Sequence, residues 1–173
     1  MMKKLLCALI AVLLLSLCFT SCGLTVPRPE VKEGRFDFSI TYEIAGKADT
    51  LSAVYVCEFN GVSWSLDGGY GRDWKAHTEG DYEGDDDYSA VIGKTEDGGD
   101  IVLFFGIYPE YFMNDQTGDR GAPEPSIYVA YPENEHGESG LVNIPEEVEA
   151  LCGAKIIRNE YDAPIENSYG LFR

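Results

Sequence analysis

Residues 35–44 have the sequence RFDFSITYEI, in which polar and apolar side chains alternate strictly. A period of two puts one set of side chains on a buried face and the other in solvent, as in a half-buried β-strand. A second apolar run follows at 51–59, and Asn60-Gly61 separates it from a third at 62–66. Asn-Gly between apolar runs is a strong hairpin signal, because a type I′ turn needs two positive φ angles. We therefore predict a hairpin that turns at Asn60-Gly61.

The remainder of the chain consists of short apolar runs between turn-forming residues. Further strands are predicted at 73–77, 88–92, 101–107, 126–131, 155–161 and 169–172. One segment has a helical composition, since Pro145 suits its first turn and Gly153 suits its end. About eight strands and one short helix near 145–152 predict a mainly β fold. It would be a β-sandwich, Ig-like in architecture but not in signature, or a small barrel.

The two tryptophans are expected in different environments. Trp64 alternates with apolar residues on one face of the predicted hairpin, which indicates a core position. Trp74 lies among Arg72, Asp73 and Lys75, which indicates exposure. An exposed indole suggests a contact surface, although large aromatic side chains are buried on average even beside charged neighbours.

Residues 109–125 are rich in Gly and Pro and are expected to form a long exposed loop. Tyr111 and Phe112 lie in this segment. Together with Trp74 they form the candidate ligand-binding patch, which would stack on a sugar or grip a peptide. The alternative is that all three rings belong to the core.

The N-terminus has the organisation of a secretory signal. Lys3 and Lys4 precede an uncharged run at 5–19, which is shorter than the ~20 residues of a membrane-spanning anchor. Phe19-Thr20-Ser21-Cys22 then resembles the lipobox of bacterial lipoproteins, although that family usually has Leu at the position of Phe19. The resemblance implies cleavage before Cys22 and attachment of diacylglycerol to its thiol.

The chain is also similar to the small uncharacterised lipoproteins of gut-type Firmicutes at residues 36–43 and 55–61. This similarity implies a protein held by lipid at the extracytoplasmic face of the cell membrane, and it implies no particular activity. The expected organisation is a signal peptide at 1–21, a lipid-anchored tether at 22–34 and one globular β-rich domain at 35–173.

The charge balance limits the partners. The chain has 13 Lys and Arg residues against 30 Asp and Glu residues, a net charge of −17. Removal of Lys3 and Lys4 with the signal would leave 11 − 30 = −19. A charge of this size argues against nucleic acid and anionic lipid head groups as partners, and it favours cations.

Cys57 and Cys152 are the thiols that remain once the signal is removed and Cys22 is lipidated. An extracytoplasmic compartment permits a disulfide between them. The alternative is two separate thiols that behave as small apolar side chains.

Asp81, Glu83 and Asp85 are weak Ca²⁺ candidates, because alternate carboxylates could converge on a hard cation. The EF-hand pattern fails, since Asp86 stands where its glycine belongs. A second weak match begins at Asp115. Solvated loop charges are the preferred interpretation, and no cofactor is expected.

Three functions remain open, and no catalytic motif favours an enzyme. The leading hypothesis is a non-catalytic binding or interaction module with an unknown extracytoplasmic protein or glycan as its partner. The second is a glycan- or peptide-binding accessory of a transport or degradation system. The third is a hydrolase that uses two carboxylates.

Overall fold

Strands dominate the computed structural model of the protein, so the predicted mainly β fold is confirmed. The structure describes residues 26–65, 69–80, 88–106, 108–115, 121–133 and 139–170. The first five strands are β1 (Arg28–Pro29), β2 (Glu33–Ile44), β3 (Lys47–Ser65), β4 (Gly69–Glu79) and β5 (Ser89–Lys94). The other five are β6 (Asp100–Phe104), β7 (Ser126–Tyr131), β8 (Gly140–Val142), β9 (Lys155–Tyr161) and β10 (Tyr169–Gly170). Two helices are described, α1 (Pro109–Phe112) and α2 (Pro145–Cys152).

Two four-stranded antiparallel sheets pack face to face as a sandwich. The first has the strand order β4-β3-β2-β9 and the second β5-β6-β7-β8, while β1 and β10 form a separate two-stranded sheet. One hydrophobic cluster contains residues from both large sheets, including Phe38 and Ile40 of β2 and Leu103 of β6. The sheets do not close into a barrel over the described residues, so the sandwich prediction is the correct alternative.

The alternation in β2 buries the residues that the sequence predicts. Phe36, Phe38 and Ile40 are at most 4% exposed, and the charged residues that alternate with them, Arg35 and Asp37, are exposed. The Phe38 ring stacks on Tyr55 of β3 with ring centroids 4.1 Å apart. Tyr55 donates a hydrogen bond to the Phe105 carbonyl at 2.9 Å, which satisfies its buried hydroxyl. The paired strands β2 and β3 therefore form the centre of the first sheet.

The predicted turn at Asn60-Gly61 is wrong. β3 continues through both residues to Ser65, which pairs with Gly69 of β4. The register shifts between Phe59 and Gly61, and Gly61 has a φ of +124°. A β-bulge needs an unusual φ just as a type I′ turn does, and the dipeptide alone cannot distinguish the two.

The predicted tether at 22–34 is wrong over its C-terminal part. Arg28 and Pro29 pair with Gly170 and Tyr169, and β2 already begins at Glu33. Gly34 is buried, and a Cβ there would come within 2.7 Å of Met113 and Phe36. A glycine at an inward position breaks the apolar pattern, which is why the strand looks shorter in the sequence.

The predicted exposed loop at 109–125 is also wrong in its first part. Residues 109–112 form α1, and Phe112 and Met113 are both 0% exposed. The Phe112 ring lies 4.7 Å from that of Phe36, centroid to centroid. The segment therefore closes one end of the sandwich core.

The predicted helix near 145–152 is confirmed as α2. Pro145 lies in its first turn, Val148 is 1% exposed, and Gly153 ends it with a φ of +66°. The Gly153 amide donates to the Glu149 carbonyl at 2.8 Å, as expected of a left-handed C-terminal cap.

Candidate functional site

A groove of about 1350 Å³ opens where the first sheet meets β5. Its floor contains buried apolar side chains, among them Phe38, Tyr42, Ala53 and Ala90. Its lining includes five exposed carboxylates and no Lys, Arg or His, and the five are Asp37, Asp49, Glu79, Glu160 and Asp162. The groove therefore combines an apolar floor with an acidic rim.

Two hydrogen bonds between Asp37 and Asp162 hold part of the rim in place. The Asp37 amide donates to Asp162 Oδ2 at 2.9 Å, and the Asp162 amide donates back to the Asp37 carbonyl at 2.9 Å. At the other side Arg35 forms a two-point ion pair with Glu79, with Nη2 and Oε2 2.5 Å apart. The hydrogen bond and charge of Arg35 lower the pKa of the Glu79 carboxyl. Glu160 is paired in the same way, with Arg158 Nη2 and Glu160 Oε1 2.5 Å apart. Glu79 and Glu160 are thus neutralised locally, and Asp37, Asp49 and Asp162 supply the negative charge of the rim.

A buried ion pair lies between β4 and the segment after α1. Arg72 Nε donates to Asp115 Oδ2 at 2.6 Å and Nη2 donates to Oδ1 at 2.5 Å. The two side chains are 5% and 0% exposed. The Trp74 indole N–H donates to the same Asp115 Oδ2 at 2.8 Å. Bidentate geometry and the third donor compensate for much of the cost of burying this carboxylate.

The same cluster contacts residues near both ends of the described chain, Pro27 and Tyr169. Arg72 Nη1 donates to the Pro27 carbonyl at 3.0 Å, and its guanidinium lies 4.1 Å from the centroid of the Tyr169 ring. Burial, followed by the charge of Asp115, raises the pKa of Tyr169 to about 12. Its hydroxyl therefore stays protonated and donates to the Met113 carbonyl at 2.7 Å. These contacts are structural, and they leave Asp115 bound to protein groups rather than to a metal ion.

The candidate patch of Trp74, Tyr111 and Phe112 does not lie on the surface. Trp74 is 9% exposed and Phe112 is 0% exposed, while Tyr111 is half-buried against the Phe112 ring. The expected exposure of Trp74 is wrong, because Arg72, two residues away on the same face, is neutralised by Asp115. The core interpretation of these rings is the correct one.

Among the described residues, the most exposed aromatic side chains are instead Trp64 and Tyr70, at 58% and 53%. They are directly paired across β3 and β4. The core position that the sequence predicts for Trp64 is wrong, because the hairpin extends past the point where its inner face is covered. The sequence does contain a signal for the exposure of Trp64. Residues 68–71 are rich in glycine, so they provide few side chains that could cover the tip of the β3–β4 hairpin.

The two candidate disulfide residues are free thiols in the structure. Cys57 is 0% exposed in the core, and burial raises its pKa to about 12. Cys152 lies at the end of α2, where its thiol donates to the Val148 carbonyl at 3.2 Å. The alternative of two separate thiols therefore describes the structure, and Cys57 behaves as a small apolar side chain.

The Ca²⁺ candidates Asp81, Glu83 and Asp85 lie outside the described residues. Within the described part of the chain, no group of three or more His, Cys, Asp or Glu side chains could hold a metal ion. None of the helices described is long and apolar enough to cross a membrane. Comparison with protein-family models, curated proteins and solved structures finds no match.

Proposed function

We propose that the protein is an extracytoplasmic lipoprotein, anchored through Cys22, that binds a positively charged peptide in the groove between its sheets. The groove is the observation that supports binding. A volume of about 1350 Å³ exceeds the ~300–1,000 Å³ usual for small-molecule sites, so a peptide segment fits it better. The apolar floor would bury side chains, and the rim would attract lysine or arginine.

The exposure of the rim favours binding over hydrolysis. A glycosidase general acid needs surroundings that raise its pKa, and two carboxyls must flank the scissile bond at a defined separation. Asp37, Asp49, Glu160 and Asp162 are all exposed to solvent. Such carboxylates are suited to attracting cationic partners and repelling anionic ones.

Binding of a lysine-rich peptide tests the groove. We expect a labelled oligolysine peptide to bind the mature chain, and the double variant Asp37→Asn/Asp49→Asn to weaken binding about fivefold. Each exposed ion pair contributes ~0.5 kcal/mol, and two are removed. Fluorescence anisotropy titrations at low ionic strength give both dissociation constants, and binding should weaken as salt is added.

The matched control removes two carboxylates from elsewhere. Glu146 and Glu147 are exposed on α2 and do not line the groove. Glu146→Gln/Glu147→Gln changes the net charge by the same amount and should leave the affinity nearly unchanged. Equal weakening by the two double variants would mean that the peptide responds only to overall charge.

Lipid anchoring has its own test. We expect cells that express the full precursor with a labelled fatty acid to yield a labelled protein in the membrane fraction. Cys22→Ala should abolish the label and release the protein, because two acyl chains supply the stable anchor. Cys18→Ala is the matched control and should retain both properties. Unchanged labelling and membrane association of Cys22→Ala would refute the anchor.

A further inference from the structure

The β3–β4 hairpin carries an exposed apolar surface at its tip. Trp64 and Tyr70 form one pair of the ladder, and Val62, two residues before Trp64, is 39% exposed on the same face. Residues 61–64 and 70–71 of the tip carry no charged side chain, and Asp67 of the turn between them lies outside the described residues. A contiguous apolar surface of this kind marks a contact site more often than scattered single residues do.

This surface continues the inner face of the first sheet. Trp74, Arg72 and Tyr70 are spaced by two in β4, so their side chains share one face. Over Trp74 and Arg72 that face is covered by Asp115 and Tyr169. The Trp64–Tyr70 pair lies two residues beyond Arg72, which is about 7 Å along the strand at ~3.4 Å per residue. Both side chains are more than half exposed.

The start of the domain lies beside the same hairpin. The Pro27 carbonyl accepts the hydrogen bond from Arg72 at 3.0 Å. Cys22 precedes Pro27 by five residues, so even a fully extended chain places it within about 17 Å. A lipid on Cys22 would therefore hold this end of the sandwich against the membrane.

We propose that the Trp64–Tyr70 pair inserts into the interfacial region of the lipid bilayer and, together with the lipid on Cys22, fixes the orientation of the domain. The inference rests on the proposed lipid anchor. Trp and Tyr favour the membrane–water interface, because their rings are apolar and their N–H and O–H groups are polar. The negative charge of the chain disfavours anionic head groups, so a zwitterionic lipid is the surface on which insertion is expected.

Fluorescence of Trp64 tests the orientation, and chemical coupling makes the test independent of lipidation in cells. The mature chain with Cys152→Ser is joined through Cys22 to a maleimide phospholipid in phosphatidylcholine vesicles, while Cys57 is too buried to react. We expect the Trp64 emission to shift to shorter wavelength on coupling. Lipids brominated near the head group should then quench most of that emission.

The variant Trp64→Phe is the matched control, because Trp74 is then the only tryptophan and is already buried. Its emission should neither shift on coupling nor be quenched. Unchanged, unquenched Trp64 emission in the coupled protein would overturn the proposal even if Cys22 proves to be lipidated. A shift that appears without vesicles and grows with protein concentration would also overturn it, in favour of a second copy of the chain.

Discussion

Asp115→Ala is expected to lower the free energy of unfolding by about 3–5 kcal/mol, the range for loss of one partner from a buried ion pair. The variant keeps the Arg72 guanidinium buried beside Tyr169 but removes the carboxylate that it binds through two hydrogen bonds. The Trp74 indole N–H loses the same acceptor. Urea unfolding monitored by circular dichroism should show a lower midpoint with an unchanged slope.

Two comparisons show whether this effect comes from the buried charge. The exposed pair Lys94–Asp100 is the matched control, and Asp100→Ala should cost less than about 1 kcal/mol. The double variant Arg72→Met/Asp115→Leu should be more stable than Asp115→Ala, because no charge is then left buried. A cost for Asp115→Ala no larger than that for Asp100→Ala would contradict this role for the ion pair.

The parts of the fold that the sequence predicts are those determined by local periodicity. The alternation at 35–44 and the Pro145 and Gly153 signals depend on neighbouring residues only, and both hold in the structure. Asn60-Gly61 forms a bulge rather than a turn because these residues pair with Asp73 of β4. The sequence around Asn60-Gly61 does not show that pairing. Gly34 likewise continues β2, although its missing side chain interrupts the pattern.

The sites could be predicted less well, because they join distant parts of the chain. Asp115 lies 43 residues from Arg72 in the sequence. Its buried carboxylate neutralises Arg72, so Trp74 is buried although the residues beside it are charged. The rim carboxylates come from β2, β3, β4, β9 and the residue after β9, which only the sheet topology brings together. One signal was available: Arg72 and Trp74 are two residues apart and must share a face in a strand.

The two tryptophans therefore give opposite expectations for alanine substitution. Trp74→Ala should lower the free energy of unfolding by about 3–5 kcal/mol, because it deletes a large buried ring. It also removes a donor from Asp115 and the edge-on contact with Phe59, whose ring centroid lies 5.4 Å away. Trp74→Phe keeps most of the apolar volume and should cost less than the alanine variant.

Trp64→Ala is the matched control for Trp74→Ala, since it makes the same chemical change at a ring that is 58% exposed. It should shift the free energy of unfolding by less than about 0.5 kcal/mol, as surface substitutions usually do. Urea unfolding of the unanchored mature chain measures both variants by the same signal. A large loss for Trp64→Ala with little loss for Trp74→Ala would restore the environments that the sequence alone predicts, and would contradict the burial of Trp74 against Asp115.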